Sequence, residues 1–408
     1  LQLSGVSMKL LRARLVLPIS SPPIEDGFVR VEGEEITDFG PWRDDLGEAE
    51  NLGDVILMPG LINAHCHLDY TVMRGAILRQ PDFPSWVRRI NELKRTLTDD
   101  DNLASIAKGF EELKMWGTTS VFNIEAFPEL MVRMPMPPIR TWWFYELLDI
   151  RNRIHTDDVV AGALSFFESR PGWLGGFGLS PHAPYTASAK LYELTRFASE
   201  KYSMPWTTHL AETDEEFEMF MRASGPLHDF LKKLGRDMSD TGGVTPTGRM
   251  LPNGLVPHGG ILAHMNCLAE SDYALLAERK ADIHVVHCPN CHEYFERPRF
   301  ELERLLEIGI PISLGTDSLA SNKALNLFDE MRQLHRTHPA VSAKDAVEMI
   351  TLTPARAIGQ PGKLGEISKG ALADLIAIPY EGPANDVYEA VRANREKITW
   401  MLVNGQRT

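Results

Sequence analysis

The sequence predicts an α/β fold: a (β/α)8 barrel of the TIM type with a composite β-domain drawn from both ends of the chain. Three observations predict it. Between Pro59 and Gly362, eight short apolar runs alternate with helical patterns. Residues 9–58 show strand-like alternation broken by glycines, and the end of the chain mirrors this in 373–378 and 398–405. Neither terminal stretch alone can bury both faces of a sheet, so pairing the two satisfies each.

The candidate barrel strands are 60–65, 118–123, 140–146, 176–180, 206–209, 260–264, 283–287 and 312–315. The intervening helices fall at 99–116, 187–201, 215–234, 268–280 and 301–306. Met134-Pro135-Met136-Pro137-Pro138 reads as a short stiff connection. The Gly/Pro-rich stretch 235–259 is long for a loop and reads as a lid or an interface element. This organisation gives a composite domain from 8–58 plus 363–408 and a barrel domain from 59–362.

With 408 residues, 43% hydrophobic and 24% charged, the composition is that of a globular protein. A net charge of −14 argues against a nucleic-acid groove or an anionic membrane surface as partner, because both require basic patches. Four cysteines (Cys66, Cys267, Cys288 and Cys291) are too few for a disulfide scaffold and fit a reducing compartment. Met8-Lys9-Leu10-Leu11-Arg12 resembles the basic end of a signal peptide, but Arg12 and Arg14 break the apolar run. Residues 1–7 precede that methionine as an extension or an appended remnant. The expectation is a cytoplasmic enzyme.

The strongest chemical signal is His65-Cys66-His67, directly after the apolar run 55–62. On a strand, residues i and i+2 face the same side, so both imidazoles can grasp one ion at a strand end. Taken singly, an H-x-H pair is weak evidence, and a buried histidine is more often satisfied by a carbonyl. Its companions strengthen it, because His209, His264 and Asp317 each end a separate candidate strand. Imidazoles with a carboxylate suit Zn²⁺ or Fe²⁺ and leave a position open for water. His264 is either a fourth nitrogen ligand or an acid–base group beside that water. Glu212, three residues past His209, is placed to shuttle a proton. The competing reading is a surface carboxylate, since Glu215, Glu216 and Glu218 follow on what reads as a solvated helix.

Pro59-Gly60-Leu61-Ile62-Asn63-Ala64-His65-Cys66-His67-Leu68, His209-Leu210-Ala211-Glu212-Thr213 and Leu314-Gly315-Thr316-Asp317-Ser318 closely resemble the amidohydrolase superfamily. Within it they look like the branch of S-adenosylhomocysteine, methylthioadenosine, aminodeoxyfutalosine and guanine deaminases and triazine chlorohydrolases. The resemblance spans nearly the whole chain and implies a β-sandwich made from both termini. It implies His65, His67, His209 and Asp317 as metal ligands and Glu212 as the proton shuttle between water, ring nitrogen and leaving amine. His264 would orient and polarise the nucleophilic water, and Asp317 would also accept the water proton. His182, in Ser180-Pro181-His182-Ala183-Pro184, matches a histidine that contacts the substrate ring. Binuclear relatives carry a carboxylated lysine on strand four, and 176–186 contains none, which favours one divalent ion, Zn²⁺ ahead of Fe²⁺.

Cys288-Pro289-Asn290-Cys291-His292 also fits the C-x-x-C-H pattern of covalent haem attachment, which normally requires export, or a redox or zinc pair. In the family this segment forms a pocket rim, so His287 and His292 join Trp86, His182 and Ser318 as expected substrate contacts. The run 287–295 looks more like aminodeoxyfutalosine deaminases than chlorohydrolases. After Phe83-Pro84-Ser85-Trp86 the chain offers Glu92, Lys94 and Arg95, none a clean match for the glutamate with which adenosine-type relatives hold ribose hydroxyls. Arg88, Arg89, Lys94 and Arg95 either meet an acidic substituent or form a solvated helix face. The expected reaction is hydrolytic deamination of an aminated N-heterocycle, a purine or adenosine-type nucleoside or a pterin. The alternatives are loss of chloride or alkylamine from a triazine-like ring, or a non-catalytic barrel, which would have lost its ligands. The expected partner is a small heterocycle, with homodimerisation as family habit.

Overall fold

The computed structural model describes residues 8–150, 154–168 and 172–408; residues 1–7, the stretch upstream of Met8, lie outside it. Eight parallel strands form the central sheet. In order they are Leu61–His67, Thr118–Glu125, Arg140–Leu147, Gly175–Pro181, Thr207–Leu210, Gly260–His264, Ile283–His287 and Ile312–Leu314, the last resuming at Asp317–Ser318. A parallel bridge between Leu179 and Trp206 joins the fourth strand to the fifth. Asp317 pairs with Cys66 and Ser318 with His67, so the eighth strand closes on the first.

That closure has a steric condition. A Cβ on Gly315 would stand 2.7 Å from the Cβ of His65 and 2.8 Å from its carbonyl oxygen. Only glycine lets the two backbones approach this closely. Across the same seam the Thr316 amide donates to the His65 carbonyl at 3.0 Å. The buried Asn63 amide donates to Thr316 Oγ1 at 2.8 Å and accepts from the Thr316 amide at 3.2 Å.

Helices wrap the barrel where the sequence supplies caps. The helix Asp99–Met115 starts at a capping box in which Thr98 and Asp101 satisfy each other's backbone amides. Ser188 caps Ala189–Tyr202, which ends at Ser203 in the left-handed region (φ 52°). The single helix expected over 215–234 is two, Asp214–Arg222 and Pro226–Lys233. Ala223 (φ 51°) and Gly225 (φ 100°) turn the chain between them, and Pro226 opens the second helix. Between the second and third strands the only helical turn is the short Pro128–Arg133, so this unit departs from the strand–helix repeat. The stretch 235–259 contains the helix Pro246–Met250. Arg236 pins it beside the fourth strand by donating to the carbonyls of Tyr185 (2.9 Å) and Pro184 (3.1 Å), so it is a tethered segment. No helix among the described residues is long and apolar enough to cross a membrane.

The terminal segments form one mixed eight-stranded sheet. Met8–Val16 runs at its centre, between Ile24–Glu32 and Val55–Pro59, and the latter pairs with Leu375–Pro379. The stretch resembling a signal peptide is therefore a strand. A bridge from Glu35 to Leu372 brings the two ends of this sheet together. Leu11, Val31, Ile36, Leu57, Leu375 and Leu402 share the resulting core.

The joint between sheet and barrel is polar. Arg140, at the start of the third strand, donates to Asp374 at 2.9 and 3.3 Å and to Asn404 at 2.9 Å, with side chains only 8% and 4% exposed in the ion pair. Breaking a buried pair strands a charge. Asp374→Ala should therefore lower the unfolding free energy by about 3–5 kcal/mol, read from urea denaturation. A loss below about 1 kcal/mol would mean that the joint does not depend on this pair.

Candidate metal centre and its cavity

The first strand shifts register against the second between Asn63 and Cys66, re-aiming the backbone where its histidines lie. His65 and His67 stand at the strand's C-terminal end, His209 on the fifth strand, His264 at the end of the sixth and Asp317 where the eighth resumes. All five are buried. Backbone strain concentrates in the same places: His264 (φ 78°), Met265 (φ 52°), Ala211 (φ 50°) and Asp317 (φ 56°) are all left-handed without being glycine. Such conformations cost roughly 1–3 kcal/mol each and persist where the surroundings over-determine them.

The facing atoms fit one cation. His209 Nδ1 lies 2.9 Å from the His182 carbonyl, which can only accept, so Nδ1 carries the proton and Nε2 presents a lone pair. That lone pair is 3.3 Å from His67 Nε2. His65 Nε2 is buried without a hydrogen-bond partner. Asp317 Oδ1 is 3.8 Å from both His65 Nε2 and His67 Nε2. Burial holds His65, His67 and His264 well below the usual imidazole range, which keeps them neutral and ready to ligate. A tetrahedral ion with bonds of about 2.0–2.1 Å sets ligand atoms about 3.3–3.4 Å apart, close to these separations. Two overlapping groups hold their ligand atoms within 4.8 Å of one another, His65 with His209 and His264, and His65 with His67 and Asp317. The donor set suits a single divalent ion.

Second contacts hold the ligands. Asp317 Oδ1 accepts from the Ser318 amide at 2.7 Å, and Oδ2 accepts from the Cys291 thiol at 2.8 Å. Burial pushes the Cys291 thiol up, so it stays protonated and donates. This gives the C-x-x-C-H segment a structural place: Cys288 and Cys291 are free, buried thiols in the barrel wall.

Glu212 is buried and accepts from Arg297 Nη2 at 3.1 Å. Burial raises its carboxyl, and Arg297 opposes that rise. The reading of the following glutamates as solvated is corrected here for Glu216, while Glu215 and Glu218 are half-buried. Glu216 is fully buried, and its carboxylate accepts from the amides of Ala211 (3.2 Å) and Glu212 (2.7 Å), fixing the turn that presents Glu212. Burial pushes Glu216 up to about 8.

A cavity of about 350 Å³ opens over the centre, and His67, His209, Glu212, His264 and Asp317 line it. Of the expected substrate contacts, Trp86, His182 and Ser318 also line it. His287 and His292 do not. His287 lies flat on Phe300 (centroids 4.0 Å apart, 4° between planes), and His292 is bonded to Asn266 and the Pro298 carbonyl. The helix Phe83–Lys94, capped by Asp82, turns Trp86, Val87, Ile90 and Lys94 into the cavity, at the spacing of one helix face. Arg88, Arg89 and Arg95 are exposed, so among the four basic residues singled out in this segment only Lys94 lines the cavity. Arg297 has no signal in the sequence, because it acquires its place through a contact distant along the chain, whereas Glu146 closes the candidate strand 140–146 and carries the strand-end signal.

The amidohydrolase family profile matches residues 56–406. The chain belongs to the amidohydrolase family. A 5-methylthioadenosine/S-adenosylhomocysteine deaminase from Pyrococcus furiosus is 29% identical to this amidohydrolase over 377 residues, covering 88% of this chain and 82% of its own. An adenosine deaminase from Xanthomonas campestris, solved with bound zinc, superposes with a TM-score of 0.82 at 25% identity, over 98% of this chain and 92% of its own. The Helicobacter pylori aminofutalosine deaminase in complex with methylthio-coformycin shares the fold, with a TM-score of 0.87 at 19% identity over 98% and 100% of the two chains.

Metal analysis tests the amidohydrolase centre. Zinc-reconstituted protein should hold about one ion per chain, and His67→Ala or His209→Ala should lose most of it. With free ion at 100 times its dissociation constant, chelation should remove about 2.7 kcal/mol of stability, seen as a lower Tm. An unchanged Tm and metal-free protein after reconstitution would contradict the assignment.

Proposed function

We propose that this amidohydrolase hydrolyses the amino group from an aromatic N-heterocycle, a purine or adenosine-type compound or a pterin, releasing ammonia. The observation that carries the reading is a buried, Arg297-bonded Glu212 in the wall of the cavity that also exposes the His/Asp centre. The proposed ligands are His65, His67, His209 and Asp317, with zinc as the ion in keeping with the zinc-bound relative. When bound, such an ion acts as a Lewis acid and lowers the pKa of a water it holds towards about 7.

The chain's own groups supply the rest. Glu212 takes one proton from the attacking water and delivers it to the ring nitrogen, where it stays. It then relays the second, first accepted by Asp317, to the departing amine, which leaves as ammonia. Arg297 keeps that carboxylate aimed and favours its ionised form against burial. His264, neutral and held by its strained backbone, orients the water, and Asp317 accepts its second proton. His182 is fixed by a 2.6 Å hydrogen bond between Nδ1 and Thr186 Oγ1, which leaves Nε2 free for the ring. Trp86 and Ser318 complete the wall around the heterocycle. Four free cysteines, three of them buried, support a reducing, cytoplasmic setting.

The test is ammonia release from metal-loaded protein over adenosine, S-adenosylhomocysteine, aminodeoxyfutalosine, guanine, cytosine, aminated pterins and melamine. Glu212→Gln should cut turnover of the responsive compound by at least about 10²-fold while keeping the metal. Silence across the panel, with metal bound, would overturn deamination and point to another leaving group, such as chloride or an alkylamine.

A further inference from the structure

A left-handed Asp317 (φ 56°) persists only where its neighbours hold it there. Its φ is a rotation against the peptide plane shared with Thr316, so whatever fixes that rigid plane fixes the residue. The Thr316 carbonyl, in that plane, accepts from Asn322 Nδ2 at 2.8 Å. Asn322 Nδ2 gives its second proton to Glu330 Oε1 at 2.7 Å, and Asn322 Oδ1 accepts from the Lys323 amide at 2.6 Å. The Asn322 amide therefore cannot turn over without setting its oxygen against both the Thr316 carbonyl and Glu330.

Glu330 lies in the first turn of the helix Leu327–Thr337, on its buried face with Phe328, Met331 and Leu334. It is fully buried, and its second oxygen, Oε2, accepts from the Asn290 amide at 2.9 Å. Asn290 precedes Cys291, whose thiol donates to Asp317 Oδ2 at 2.8 Å. One carboxylate thus ends two arms that close on Asp317. The first reaches its backbone through Asn322 and Thr316, and the second reaches its side chain through Asn290 and Cys291. A staple that merely joined two loops could meet them anywhere; this one meets each a single residue from the atoms that hold Asp317.

We infer that Glu330 is a positioning residue for Asp317, setting the direction of that carboxylate and hence the affinity and symmetry of the metal centre. The inference rests on the reading of Asp317 as a ligand and adds a residue outside the coordination sphere that governs it. Groups that orient ligands matter nearly as much as the ligands themselves. The demand on Glu330 is two acceptor oxygens facing two N–H donors. Glutamine keeps the volume but offers one acceptor and one NH₂ group. It can serve Asn322 or Asn290, and it turns a donor against the donor of the other.

Zinc affinity, measured by competition with a chelating dye, and the visible absorption of Co²⁺-substituted protein test this. Glu330→Gln should weaken zinc about 10- to 100-fold and move the Co²⁺ bands. In an Asp317→Gly background, where glycine tolerates the left-handed backbone, the same change should alter zinc affinity by less than about two-fold. The carboxylate through which Glu330 acts is then gone. Unchanged zinc affinity in Glu330→Gln overturns the inference. An equal loss in both backgrounds also overturns it, because Glu330 would then serve the fold alone. Should Glu330→Gln not fold, Asn322→Ala decides in its place. It cuts one arm at a half-buried position and should cost about ten-fold in zinc affinity, and no loss there overturns the inference. If Asp317→Gly binds zinc as tightly as the unaltered chain, the ligand reading itself fails and takes the inference with it.

Discussion

Everything at the centre hangs on how the barrel closes. Asp317 reaches the histidines because the eighth strand stops at Leu314, passes His65 at Gly315, and resumes in register with Cys66 and His67. Any side chain at Gly315 would collide with His65 itself, so the seam that closes the sheet also sets the distance from carboxylate to imidazole. Asn63 and Thr316 lock this seam with buried hydrogen bonds that water cannot replace. Fold and site are one constraint here.

The electrostatics follow from burial. Neutral imidazoles collect around one carboxylate, with lone pairs directed inward and protons directed to carbonyls where a carbonyl is within reach. Such a cluster suits a cation. Left-handed backbone at His264 and Asp317 shows that ligand direction has been favoured over local comfort. Around this hard centre the cavity wall changes character. The two amphipathic helices Phe83–Lys94 and Pro226–Lys233 contribute Val87, Ile90, Leu227, Phe230 and Leu231, which exclude water and strengthen every charge interaction beneath them.

The sequence made the centre legible because barrel chemistry sits at strand ends, and strand ends can be read from apolar runs. His65, His67, His209, His264 and Asp317 each stood at such an end, and the structure brings all five together. Glu216 reads as one of a run of glutamates, Glu215, Glu216 and Glu218. Yet it lies on the buried helix face with Met219 and Phe220, and two backbone amides make it a buried strut. His287 has the same strand-end address as the ligands, but Phe300 covers it. Arg297 gains meaning only from Glu212, 85 residues away, whereas Glu146 closed a candidate strand and was readable by the same rule as the histidines. The break between 222 and 226 was readable in principle, since Gly225-Pro226 is a helix-ending pair.

X-ray absorption at the metal edge of zinc-reconstituted protein is the most direct measurement of the central claim. The account predicts a first shell of nitrogen and oxygen alone at about 2.0–2.2 Å, with no metal–metal vector near about 3.5–4 Å. A sulfur shell at about 2.3 Å would draw Cys291 into the coordination sphere and contradict the His/Asp centre. A metal–metal vector would contradict the single ion.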